Sequence, residues 1–240
     1  MKEREAVRLK RQRFAGTVLG MLRKQYPDRL HTELEHRNIT ELFVSVFLSP
    51  QCTDKQVNKS TEMLFSKFRS FQDYADSDPR RLGRYLKGIN YYKTKARNLI
   101  LSSRMITRSP GGRVPKSLEG LMELPGVGRK VANVILNEGF GINEGIAIDT
   151  HCITVSRRLG LTKHDSPALI EEDLMRIIPR KEWGTASNML IALGKDTCRA
   201  RAKECGRCVL KDICPSSAAS GRAGTKEHIP GFSGRHINIS

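Results

Sequence analysis

The run Leu124-Pro125-Gly126-Val127-Gly128-Arg129-Lys130 carries the sharpest chemical suggestion in this 240-residue sequence. Two glycines one residue apart can adopt φ > 0 and leave no side chain between backbone N–H groups and an approaching anion. A helix starting directly after them points its positive end at the same place, so the turn reads as a phosphate seat. An ordinary αα-hairpin whose glycines only turn the chain is the plainer reading. Lys130 sets an amine beside the seat, available either as a nucleophile or as a phosphate contact. A second constellation is Cys198-x6-Cys205-x2-Cys208-x5-Cys214. Four thiols so close together, in a chain that opens without a secretory signal, read as metal ligands rather than disulfides. Structural zinc sites usually pair two short Cys-x2–4-Cys knuckles, whereas one short spacing between two longer ones suits wrapping a larger iron–sulfur cubane; spacing alone leaves both open.

The elements that must position these residues are helices. Phe14, Val18, Leu19 and Leu22 share one face; Leu42, Phe43, Val46 and Phe47 share another, with Pro50 ending that helix; Leu82, Tyr85 and Leu86 repeat the pattern. Further helical stretches run over 54–68, 93–107, 117–123, 129–139, 150–158, 167–177 and 182–194, and no segment sustains a period of two, so the fold class is all-α. Cys52 and Cys152 fall in helical patterns as inert packing residues. The first 13 residues are a basic arm or, more plainly, a solvated helix end; Ser216 to Ser240 reads as a flexible tail. With 42 Lys plus Arg against 25 Asp plus Glu, the formal charge of +17 suggests a polyanion partner, a solvated basic surface being the bland alternative. A membrane is disfavoured, since no apolar run approaches a spanning helix and neither end carries a lipidation or signal-peptide pattern.

The hairpin at 124–130, the stretch Ile146-Ala147-Ile148-Asp149-Thr150-His151, the segment Leu48-Ser49-Pro50-Gln51-Cys52-Thr53-Asp54 and the four-cysteine loop occur together in the order found in a known family. From about Phe14 to Pro215 the chain resembles the endonuclease III group of helix–hairpin–helix (HhH-GPD) DNA glycosylases and AP lyases. The resemblance implies two all-α domains. One is a six-helix barrel over 32–142, with the helix–hairpin–helix at about 117–139. The other joins 1–31 to 143–215 and holds a [4Fe–4S] cluster on Cys198, Cys205, Cys208 and Cys214 in the loop 198–214. One departure is visible: Gly141-Ile142-Asn143-Glu144-Gly145, before Asp149, contains no proline.

The resemblance implies a bifunctional enzyme of base excision repair in a prokaryotic cytoplasm or nucleoid. It would act as a monomer on double-stranded damaged DNA, excise oxidised pyrimidines and nick the abasic site by β-elimination. Attack on C1′ followed by imine formation needs an amine, which is Lys130; Asp149 stabilises charge on the sugar or accepts a proton, and as a helix N-cap it has a purely structural alternative. Pro125, Gly126, Val127, Gly128 and Arg129 seat phosphate. Gln51 fills the gap left by the extruded nucleotide, and Tyr91, aligned through Lys95-Ala96, is the wedge opposite it, on a loop tip beside the basic pair Lys93 and Lys95. An exposed loop glutamine and a tyrosine packed under its loop are the structural alternatives. Arg199, Arg201, Lys203 and Arg207 are expected against phosphates. An adenine glycosylase is disfavoured because Ser45 stands where such enzymes place a glutamate. A mismatch thymine or uracil glycosylase commonly lacks the lysine, and a non-catalytic DNA-binding module would need neither Lys130 nor Asp149.

Overall fold

The structure, a computed structural model, describes residues 2–218, so all but the first three residues of the tail expected over 216–240 lie outside the described part. It holds eleven α-helices among the described residues. They are α1 (Lys2–Gln25), α2 (Ile39–Leu48), α3 (Asp54–Lys67), α4 (Phe71–Ala75), α5 (Pro79–Tyr85), α6 (Tyr92–Arg108), α7 (Leu118–Met122), α8 (Arg129–Phe140), α9 (Thr150–Arg158), α10 (Pro167–Ile177) and α11 (Trp183–Asp196). No strand occurs among these residues; an isolated bridge joins Cys198 to Lys203. No described helix is long and apolar enough to cross a membrane. The basic N-terminal residues are the opening turns of α1, as the plainer reading expected. The periodicity missed α4, which is announced instead by the capping box of Ser70 and Asp73.

The chain divides into two compact units. One is His31–Ala147; the other joins the residues up to Leu30 with those from Ile148 on. In the first, α2 is the central helix and every residue from Glu41 to Leu48 is buried. A helix apolar nearly all round can persist only when covered on all sides, and α3, α6 and α8 pack against it. Asn38 caps it by accepting from the Glu41 N–H, and the buried Glu41 carboxylate accepts from the Arg37 backbone and guanidinium. Phe43, Phe47, Leu64, Phe68, Tyr74, Leu99, Ile135 and Leu136 belong to this unit's single core, each large apolar side chain contributing roughly 1.5–3 kcal/mol of burial.

The second unit packs α1 and α9 against α11, with Val18, Leu19 and Leu22 meeting a helix whose Met189, Leu190 and Leu193 are buried; Phe14 is only half-buried. Residues 143–147 fall with the His31 unit rather than with the unit assigned to them from sequence. The Glu144 carboxylate accepts from the Leu118 N–H at 2.8 Å, Asn137 donates to Asn143 at 2.7 Å, and Ile146 is buried. These bonds anchor the proline-free loop.

Candidate active site

Ser117 caps α7, and the chain leaves that helix into a turn closed by the Val127 N–H donating to the Leu124 carbonyl at 3.0 Å. Gly126 has φ 86°, and a Cβ there would lie 2.9 Å from Phe47 Cζ and 3.1 Å from Asn98 Nδ2. Both backbone conformation and packing therefore require glycine at 126. Gly128 differs from the expectation that both glycines supply positive φ: its φ is −92°, and a Cβ there would meet nothing within 4 Å. What glycine provides at 128 is bare main chain at the start of α8, where Gly128 is the N-cap without a side-chain cap and the first N–H groups have no intrahelical acceptor. Val127 also differs from expectation, because its side chain lies in the core and its N–H serves the turn. Pro125 is half-buried, its carbonyl accepting from Ser102 Oγ at 2.9 Å, and Arg129 is exposed.

Lys130 is half-buried in the first turn of α8, one residue after the exposed Arg129. Asp149 is half-buried and is the N-cap of α9, its Oδ1 accepting from the Cys152 N–H at 2.8 Å. The capping role foreseen as an alternative is thus present. The two residues belong to different units, each at a helix N-terminus.

Gln51 and Tyr91 are the only non-glycine residues with positive φ among the described ones, at 58° and 57°. Both are exposed, Tyr91 by 67%. A left-handed residue costs about 1–2 kcal/mol, so something must hold each of them there. Asn90 Nδ2 donates to the Gln51 carbonyl at 2.5 Å, and the Asn90 N–H points to Cys52 Sγ at 3.3 Å. Lys95 is one of the basic pair expected beside the Tyr91 tip. It turns inward to donate to the carbonyls of Leu48 at 2.8 Å and Pro50 at 2.7 Å, with Cys52 Sγ at 3.7 Å. Burial holds its ammonium below the ordinary lysine range, with the neighbouring Cys52 opposing that shift. Cys52 itself lies in the turn between α2 and α3 rather than in a helix, while Cys152 is buried on α9 as expected.

Cys198, Cys205, Cys208 and Cys214 line one common pocket, none of them in a disulfide. Burial first, and the neighbouring thiols after it, raise the Cys208 thiol and push that of Cys214 up to about 11. Four thiols lining a common space are a donor set that a multi-iron core would accept. Arg158 ties the loop to α9 by donating to the carbonyls of Cys198, Arg199 and Ala200 and to Cys198 Sγ. Three of the four cations expected at phosphates have partners within the protein. Arg207 pairs with Asp196 and Glu204, Arg199 pairs with Glu204, and Lys203 donates to the Ser216 carbonyl; Arg201 is exposed.

A family profile described as HhH-GPD superfamily base excision DNA repair protein matches residues 44–180. The chain belongs to the HhH-GPD superfamily of base excision DNA repair proteins. Among HhH-GPD relatives, endonuclease III of Synechocystis sp. is 40% identical over 211 residues, 88% of this chain and 95% of that protein. Endonuclease III of Bacillus subtilis is 42% identical over 183 residues, 76% of this chain and 83% of that protein. A solved structure described as a trapped endonuclease III–DNA covalent intermediate superposes with a TM-score of 0.80 at 40% identity, covering 85% of this chain and 96% of that one. In this HhH-GPD protein the matched segment contains Gln51, Tyr91, the hairpin, Lys130 and Asp149, and the cysteine loop follows it.

Several residues that hold the Gln51 turn and the Gly126 turn were not singled out from sequence for that role. Lys95, Asn98 and Ser102 lie on one face of α6 and reach, in order, the Gln51 turn, Gly126 and Pro125. Their spacing of three and four was a legible signal, a polar stripe along a helix otherwise buried through Ala96, Leu99 and Ile100. Arg158, by contrast, gave no local signal.

Proposed function

We propose that this HhH-GPD protein removes oxidised pyrimidines from double-stranded DNA and then nicks the strand, with Lys130 as nucleophile and Asp149 as its partner. The observation that carries the reading is the place of Lys130, in the first turn of α8 directly after a turn whose main chain is bare at Gly128. Phosphate seated on those N–H groups brings the neighbouring sugar to the amine. Lys130 Nζ attacks C1′, the bond from C1′ to the base breaks, and the base leaves with the electron pair and gains a proton. Nζ then gives up one proton, the C1′–O4′ bond opens with O4′ taking the electron pair and a proton, and a protonated Schiff base remains. Removal of a C2′ proton then breaks the C3′–O bond and expels the 3′ phosphate, after which water hydrolyses the imine and frees Lys130. The Asp149 carboxylate stabilises positive charge developing on the sugar and accepts a proton in the first step.

The base reaches the amine only after leaving the stack, and Gln51 and Tyr91 fill the vacated space. Cys198, Cys205, Cys208 and Cys214 would hold a [4Fe–4S] cluster, which supplies a cross-link for a loop lacking an apolar core of its own. A single chain carries every group required, so it works as a monomer on nucleoid DNA.

Borohydride reduction with abasic duplex DNA tests the reading. Wild-type protein should nick the strand and give a covalent adduct; Lys130→Gln should give none while still binding DNA, because many other cations meet phosphate. Trapping by the variant would assign the chemistry to another amine. Wild-type protein that neither nicks nor traps would overturn the enzyme assignment.

A further inference from the structure

We propose that Lys95 is a positioning residue that preorganises Gln51 and Tyr91 for entry into the duplex, a role that rests on the functional reading above. An ammonium has three N–H donors, and three acceptors surround this one: the Leu48 carbonyl, the Pro50 carbonyl and Cys52 Sγ. With its donors directed inward, it serves the fold of the turn rather than a phosphate.

The acceptors are placed informatively. Leu48 is the last residue of α2, whose terminal carbonyls have no intrahelical donor and form the negative end of the helix. Pro50 and Cys52 are the residues immediately before and after Gln51. Lys95 therefore grips the turn on both sides of its left-handed residue. Asn90 closes the arrangement, its side chain holding the Gln51 carbonyl and its N–H aimed at Cys52 Sγ, and the next residue is the left-handed Tyr91. Two exposed side chains on segments far apart in sequence are thus held as a pair, in conformations neither would keep alone. The same α6 face continues through Asn98, packed near Gly126, to Ser102, bonded to the Pro125 carbonyl. One helix face thereby sets the two tips relative to the hairpin. Their ordering is completed during folding, so it does not oppose the opening of the duplex.

Single-turnover nicking of an oligonucleotide carrying one abasic site, as duplex and as single strand, separates this role from general stability. Lys95→Met keeps the length of the side chain and removes its donors. Duplex nicking should slow about tenfold or more while single-strand nicking stays within about twofold, because a single strand needs no wedge. Asn90→Ala, at an exposed position, should show the same split and decides the matter if Lys95→Met does not fold. Equal slowing on both substrates would make Lys95 merely structural, and an unchanged duplex rate would deny it any role; either result overturns the proposal. Wild-type protein inactive on both forms would remove the functional reading and this role with it.

Discussion

Replacing Tyr91 by glycine and by alanine should separate its work on DNA from its work in the fold. The residue is 67% exposed, so about a third of an aromatic surface of roughly 200 Å² lies against protein, some 70 Å². At about 25 cal/mol per Å², truncation removes at most roughly 2 kcal/mol. The backbone acts in the other direction. With φ 57° and ψ 29°, an L-residue here costs about 1–2 kcal/mol, which alanine retains and glycine escapes. Glycine returns roughly 0.5–1 kcal/mol through its freer unfolded chain. Tyr91→Gly should therefore be about 0.5–1 kcal/mol more stable than Tyr91→Ala and within roughly 1 kcal/mol of wild type. Activity should not follow that order. A ring stacked on a base contributes about 1–3 kcal/mol, so both variants should release a thymine glycol from duplex roughly five- to a hundredfold more slowly, with single strand much less affected. Thermal melts and single-turnover base release measure the two effects separately. Tyr91→Gly melting below Tyr91→Ala would refute the strain argument. Both variants melting several degrees low while acting on duplex at the wild-type rate would refute the wedge.

Asp149→Asn keeps an oxygen for the Cys152 N–H and should melt like wild type, yet lose about 10²-fold or more in base release; Asp149→Ala should lose the cap as well, about 1 kcal/mol. Near-normal base release by Asp149→Asn would leave only a helix cap. Gly126→Ala should destabilise by about 2–4 kcal/mol through its φ of 86° and its approach to Phe47, whereas Gly128→Ala should fold normally and bind DNA more weakly. Equal melting temperatures for the two would contradict that contrast. Cys205→Ser should lower iron content and melting temperature, which iron analysis and a thermal scan would show; a variant with full iron and unchanged stability would remove Cys205 from the cluster ligands.

Local chemistry was legible from the residues alone. Helix periodicity, the Pro50 stop, the glycine turn and the cysteine spacing all act within a few residues, and so did the placing of Lys130 after the turn and of Asp149 at a cap. The exposure of Gln51 and Tyr91 was also expected, because turn residues precede both. What only the tertiary structure decided is where the long polar side chains point. Lys95 reads from sequence as half of a basic pair beside Tyr91, yet it turns inward to the last carbonyl of α2, 47 residues earlier. Arg158 reaches across 40 residues to bind the cysteine loop, and Arg207, within that loop, pairs with Asp196 and Glu204. Gly126 has positive φ and lies against Phe47 and Asn98, whereas Gly128 keeps an ordinary backbone and a Cβ there would meet nothing within 4 Å. A polar side chain takes whichever acceptor the fold brings within reach, and chain distance says little about which that will be.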